Sequence, residues 1–168
     1  MNSYLIDINV WLAMSWDLHP QHSAASRWHV SIRNSANNSV LMFCRFTMVG
    51  LLRLLTNRMV MGDSTTTLEG ALRIYDRWRQ DPSVDLAPEL RATESFFRQA
   101  LELHAHQSAT KAIADCYLVG FAEAASARLV TFDKGLAATA KLRRVGVALL
   151  APFDGTPPGV HAATRKRG

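Results

Sequence analysis

The chain has 168 residues, 48% apolar and 20% charged, which is ordinary composition for one globular domain with a full core. No apolar run approaches the ~18 residues of a membrane helix. No basic segment leads into an apolar stretch with a small-residue cleavage site, so neither a membrane span nor an export signal is expected.

The net charge of +5 favours a polyanionic partner, but Arg165, Lys166 and Arg167 carry three of those charges near the end of the chain. Composition alone therefore establishes no strongly basic face. Cys44 and Cys116 lie far apart in apolar runs, as buried reduced thiols of a cytoplasmic protein do.

Residues 3–6 read as the first strand, and Asp7 ends its apolar run. Helical spacing of Val10, Leu12, Ala13 and Trp16 follows until His19-Pro20 breaks it. A second helix is expected from His22 to about Ile32, then a polar turn over 33–38. Ser39 to Cys44 reads as a strand, apolar on both faces as in a covered parallel sheet. Thr47 to Thr56 reads as a short helix, and Gly62-Asp63-Ser64 as a turn. Thr66-Thr67-Leu68-Glu69 has capping-box spacing and opens a helix to about Arg79.

Val84 to Ala87 reads as a short strand, and Pro88-Glu89 as the first turn of a helix to about His104. Ser108 or Thr110 caps the next helix, which carries Asp115 early. Arg128 to Phe132 is a strand followed by Asp133; Leu136 to Leu142 is a small helix, and Val145 to Leu150 the last strand. Residues 153–168, with adjacent prolines and basic residues, are expected to form a mobile tail after a single domain over 1–152. Alternating strands and helices predict an α/β domain with a mostly parallel sheet, and no repeat is present.

Asp7, Asp115 and Asp133 each interrupt an apolar pattern. Charged groups in such places are costly unless paired or bound to a cation. Asp7 and Asp133 directly follow predicted strands, and parallel α/β sheets gather ligands at the carboxyl ends of their strands. A helix that starts at the same edge can bring Asp115 there. Three neighbouring carboxylates suit a hard cation such as Mg²⁺ or Mn²⁺. Each acid alone has a plainer reading: Asp7 as a helix cap, Asp133 as a turn residue, Asp115 as half of a buried ion pair or as hydrogen-bonded to a neighbouring loop.

The segments Leu5-Ile6-Asp7-Ile8-Asn9-Val10-Trp11-Leu12, Ala114-Asp115-Cys116-Tyr117-Leu118 and Leu129-Val130-Thr131-Phe132-Asp133-Lys134-Gly135-Leu136 resemble the acidic motifs of PIN-domain ribonucleases. Among these they look most like the VapC toxins of bacterial toxin–antitoxin pairs. Phe43 to Asn57 resembles a mycobacterial-type branch of that family. The resemblance covers roughly residues 3–152. It implies a PIN-like three-layer α/β/α fold and a Mg²⁺-dependent endoribonuclease acting on structured RNA, transfer or ribosomal. It further implies a homodimer, and a VapB antitoxin whose tail fills the active groove.

By resemblance Asp7, Asp115 and Asp133 would hold the metal, with Asn9 beside it and the Thr131 hydroxyl behind it. One departure stands out. The glutamate that PIN nucleases usually carry after the second strand is matched by Gly50, and no acid lies between Asp17 and Asp63. Three carboxylates instead of four favour one metal over two.

Arg45 and Arg53 are candidates for contact with RNA phosphate or an antitoxin carboxylate, or are plain surface arginines. Trp11, Trp16, Trp28 and Trp78 suit core or dimer packing more than base stacking. His19, His22, His104 and His106 lack the spacing of a zinc site, and no phosphate-binding Gly-rich loop or Gly-x-Ser-x-Gly elbow is present. Two competitors to a nuclease remain: a PIN-fold RNA- or protein-binding module with weakened chemistry, and an α/β phosphatase with Asp7 as nucleophile.

Overall fold

The computed structural model describes residues 2–34, 38–106, 108 and 110–151. The expected tail over 153–168 lies outside the described residues. Five strands, β1 (Asn2–Ile6), β2 (Ser39–Phe43), β3 (Val84–Leu86), β4 (Arg128–Thr131) and β5 (Val147–Leu149), form one sheet in the order β3-β2-β1-β4-β5. Every pairing is parallel. The expected mostly parallel sheet is thus wholly parallel.

Eight α-helices lie among the described residues: α1 (Ile8–Ser15), α2 (His22–Arg33), α3 (Arg45–Leu55), α4 (Arg58–Met61), α5 (Leu68–Arg79), α6 (Ala92–Glu102), α7 (Thr110–Ala124) and α8 (Lys134–Leu142). They cover both faces of the sheet and complete three α/β/α layers. Strand side chains alternate between faces, so β1 feeds two cores. Tyr4 and Ile6 join Phe43, Val130 and residues of α1, α3 and α5. Leu5 joins Met42, Leu129 and residues of α6, α7 and α8. Near-continuous apolar strands follow from this double burial. No described helix is long and apolar enough to cross a membrane.

Trp11 is fully buried and stacks on Phe43, with ring centroids 3.7 Å apart and planes 8° apart. The Trp78 indole N–H donates to Ser15 Oγ at 2.8 Å. These tryptophans serve the core, as their spacing suggested. Cys44 and Cys116 are buried free thiols.

Several boundaries differ from expectation. α3 starts at Arg45, two residues early, because Cys44 ends β2 as its N-cap: the Cys44 N–H donates to Thr47 Oγ1 at 3.0 Å. The cap of α5 is Thr67, not Thr66; its hydroxyl accepts the Gly70 N–H at 3.1 Å, while Glu69 pairs with Arg73 instead. α6 starts at Ala92. Pro88 and Glu89 lie in the loop before it, where Glu89 accepts the Tyr117 hydroxyl at 3.0 Å. The four-residue α4 was not foreseen; Asn57 caps it by accepting the Met59 N–H at 2.9 Å.

α6 and α7 pack closely through Gly120. A Cβ built there would stand 2.5 Å from Phe97 N and 2.7 Å from Phe97 Cα. Backbone cannot yield as a side-chain tip does. Gly120→Ala should therefore cost about 1–3 kcal/mol despite alanine's better helix propensity. Urea unfolding checks it, and unchanged stability would mean the helices separate freely.

Candidate active site

Strands β1, β2 and β3 run to one side of the sheet and β4, β5 to the other. The order reverses between β1 and β4, and a crevice opens there at the carboxyl ends of the strands. The Asp7 N–H donates to Val130 O at 3.0 Å, which ties the end of β1 to β4. A pocket of about 210 Å³ occupies this edge, and Asp7, Asp115 and Asp133 all line it. The residues that the sequence singled out separately, up to 126 positions apart, thus meet in one place.

Asp7 occupies the N-cap position of α1, yet its side chain makes no cap hydrogen bond. It is 6% exposed, and its Oδ2 accepts the Thr131 hydroxyl at 2.8 Å. Burial lifts its pKa from 3.8 to about 6; the Thr131 hydroxyl and Ile8 N–H oppose this, and the charges of Asp115 and Asp133 add to it. Asp7 thus caps α1 through its backbone oxygen, which accepts from Val10 and Trp11 N–H, while its carboxylate lines the pocket and takes the Thr131 hydroxyl.

Thr131 bridges two of the acids. The oxygen that donates to Asp7 also accepts the Asp133 N–H at 2.9 Å.

Asp133 is both cap and pocket residue. Its Oδ1 accepts the N–H groups of Gly135 (2.7 Å) and Leu136 (3.2 Å) at the start of α8. Its Oδ2 accepts from the Lys111 ammonium. That hydrogen bond holds its pKa below the usual carboxylate value, burial opposes, and the two N–H groups reinforce the lowering.

Asp115, on the second turn of α7, is half-buried and accepts no hydrogen bond among the described residues. Burial raises its pKa, and the Asp133 charge adds; Lys111 and His104 oppose. An unspent carboxylate beside two others is costly unless a cation neutralises it. The buried-ion-pair reading does not describe it.

The donor chemistry fits a hard divalent cation: carboxylate oxygens that repel one another, with no imidazole or thiolate lining the pocket among the described residues. The arrangement is open. No three His, Cys, Asp or Glu side chains among the described residues already stand close enough to cage an ion.

Phe46, Gly50, Arg53 and Leu54 of α3 also line the pocket, as do Ile8 and Asn9. Positions 46, 50, 53 and 54 share one helical stripe. Arg53 is thus brought to the site. Arg45 is not: it is exposed off that stripe, its guanidinium 3.6 Å from Met48 Sδ. At Gly50 the place of a missing side chain is taken by Ile8, whose Cδ1 would lie 2.5 Å from an added Cβ. Among the described residues no histidine lines the pocket: His22 Nδ1 lies 2.7 Å from Ala13 O, and His104 Nε2 lies 3.2 Å from Thr139 Oγ1.

Two lining residues, Lys111 and Phe46, escaped the sequence reading. Lys111 lies four positions before Asp115, a spacing that puts both on one helix face.

The PIN domain family model matches residues 4–142. Ribonuclease VapC41 of Mycobacterium tuberculosis is 36% identical over 134 residues, covering 77% of this chain and 88% of that protein. Two solved structures share the fold. The VapBC-1 structure from nontypeable Haemophilus influenzae has a TM-score of 0.63 at 11% identity, over 88% of this chain and 97% of its own. VapC20 of Mycobacterium tuberculosis, described as a sarcin-ricin loop cleaving toxin, has a TM-score of 0.57 at 17% identity, over 80% and 93%. Family match, parallel sheet and acidic pocket agree: the chain belongs to the PIN-domain family, among the VapC ribonucleases of mycobacterial type.

Proposed function

We propose that this chain is the toxin of a toxin–antitoxin pair and hydrolyses phosphodiester bonds in structured RNA, transfer or ribosomal, with Mg²⁺ as cofactor. Mn²⁺ would substitute. The observation that carries the reading is the convergence of Asp7, Asp115 and Asp133 on one pocket at the topological switch of the sheet. The sarcin-ricin loop named for VapC20 supports a structured substrate. The VapBC-1 complex supports a VapB-type antitoxin.

When bound, Mg²⁺ supplies an activated water and offsets charge on the phosphodiester. The protein supplies the rest. Thr131 fixes Asp7, and the α8 N–H groups fix Asp133, so both carboxylates are oriented beforehand. Asp115 offers its unspent oxygens, and exposed Asn9 is placed to bond water or substrate at the rim. Arg53 and Lys111 hold RNA phosphates. The nuclease domain spans 1–152, works in the cytoplasm as a homodimer, and is silenced when the antitoxin covers the groove.

A second reading has one observation in its favour. With Gly50 at the usual glutamate position and Ile8 across it, the chain could be a PIN-fold module that binds RNA or protein without efficient cleavage. Induced expression separates the two. A toxin arrests growth, fragments cellular RNA and is relieved by co-expressed antitoxin. Growth equal to the empty vector, with RNA intact, would favour the binding module.

A further inference from the structure

Lys111 is badly placed for a helix and well placed for the pocket. It sits in the first turn of α7, where the aligned peptide dipoles disfavour a cation, and that turn has no acid. Its ammonium reaches over to Asp133 Oδ2 instead. Asp133 Oδ1 is already taken by two backbone N–H groups. Oδ2 is therefore the oxygen that Asp133 can offer to a metal, and Lys111 stands on it.

The two partners differ in freedom. The Lys111 side chain is 73% exposed and that of Asp133 is 22% exposed. A flexible four-carbon stem in water can swing away at little cost. The charge count also has a place for it. Three carboxylates line the pocket, and the usual fourth acid is replaced by Gly50. One divalent cation and one ammonium balance the three carboxylates, and Arg53, which also lines the pocket, is left for RNA phosphate.

Building on the nuclease reading above, we propose that Lys111 is an exchangeable internal cation. It holds Asp133 while the site lacks metal. When a divalent ion takes Asp133 Oδ2, the ammonium is released and holds a phosphate of the RNA. In this one-metal site it carries the positive charge that a second metal would otherwise bring. Metal loading and substrate binding are coupled through one side chain. The antitoxin-free, metal-free protein is kept from presenting three unneutralised acids to RNA.

The test uses Lys111→Met and Lys111→Arg, with circular dichroism and a thermal melt to show that each folds like the parent. The first readout is Mn²⁺ affinity, from paramagnetic resonance of the unbound ion with no RNA present. Removing the competitor should tighten Mn²⁺ binding about two- to fivefold in Lys111→Met, the scale of an exposed ion pair. The second is fragmentation of total cellular RNA at saturating Mn²⁺, which should slow by about tenfold in Lys111→Met, the scale of a lost charge-assisted phosphate contact. Lys111→Arg should restore most of it.

Opposite signs of the two effects are the signature, since a plain structural role moves both the same way or neither. Unchanged or weaker Mn²⁺ binding in Lys111→Met overturns the exchange. So does unchanged cleavage. A parent protein that binds no Mn²⁺ overturns the metal reading, and the exchange falls with it; a parent that binds Mn²⁺ normally confines any failure to Lys111.

Discussion

Asp7→Asn and Asp115→Asn should each reduce RNA cleavage by about 10²-fold or more, the scale on which one preorganised electrostatic group acts in a water-poor site. Both replacements keep size and shape and remove one negative charge. At position 7 the amide oxygen can still accept the Thr131 hydroxyl, so the link from β1 to β4 survives. At position 115 the carboxylate has no hydrogen bond to lose among the described residues, so the fold has little stake in it. A deficit in cleavage with no loss of thermal stability therefore reports on chemistry and not on folding. Growth arrest should be lost with it. Undiminished toxicity in both variants would remove the carboxylate mechanism.

The same Asp7→Asn change should stabilise the metal-free protein at neutral pH. The folded state holds the Asp7 proton up to about pH 6, against 3.8 for an ordinary carboxyl. Between those values the folded chain binds more protons than the unfolded one, so stability falls as pH rises. This contribution is fully present below pH 3.8 and is lost as pH passes 6. Across a gap of about two pH units it amounts to about 3 kcal/mol.

Asparagine carries no such cost. In EDTA at pH 7.5, Asp7→Asn should exceed the parent by up to about 3 kcal/mol, and the advantage should shrink towards pH 4.5. Urea unfolding at the two pH values measures it. Mg²⁺ should narrow the gap at pH 7.5 by binding the folded parent alone. A variant less stable than the parent by equal amounts at both pH values would contradict this. A residue that costs stability where it stands and supports activity is the mark of a functional site.

The site was legible in the sequence where a single local pattern carried it. A short apolar run ending in an acid marked Asp7 and Asp133, because parallel strands are buried on both faces and tolerate an acid only at their ends. Asp115 stood out as a charge in an otherwise apolar helix. Which plain alternative would survive was not legible. Asp133 turned out to be cap and pocket residue together, one oxygen for each. The Asp7 side chain was relieved of capping by a hydroxyl 124 residues away, a contact no local pattern contains.

Other features depended on the third dimension. Lys111 was overlooked because a lysine four residues from an acid is common on any helix, and only the neighbouring Asp133 gives it a task. Arg45 and Arg53 looked equivalent, yet eight residues turn a helix well past whole revolutions. Only Arg53 shares the stripe of Phe46 and Gly50. Boundaries slipped by one or two residues where a local cap hydrogen bond decided them: α5 is capped by Thr67 in place of Thr66, and α3 starts at Arg45 in place of Thr47.

The most direct measurement is incubation of purified protein with total RNA, once with Mg²⁺ and once with EDTA, followed by mapping of the new ends. Discrete fragments with Mg²⁺, absent with EDTA and absent with Asp115→Asn, are the predicted result. RNA that stays intact with Mg²⁺, or fragments that persist in EDTA, would contradict the account of a carboxylate-held metal nuclease.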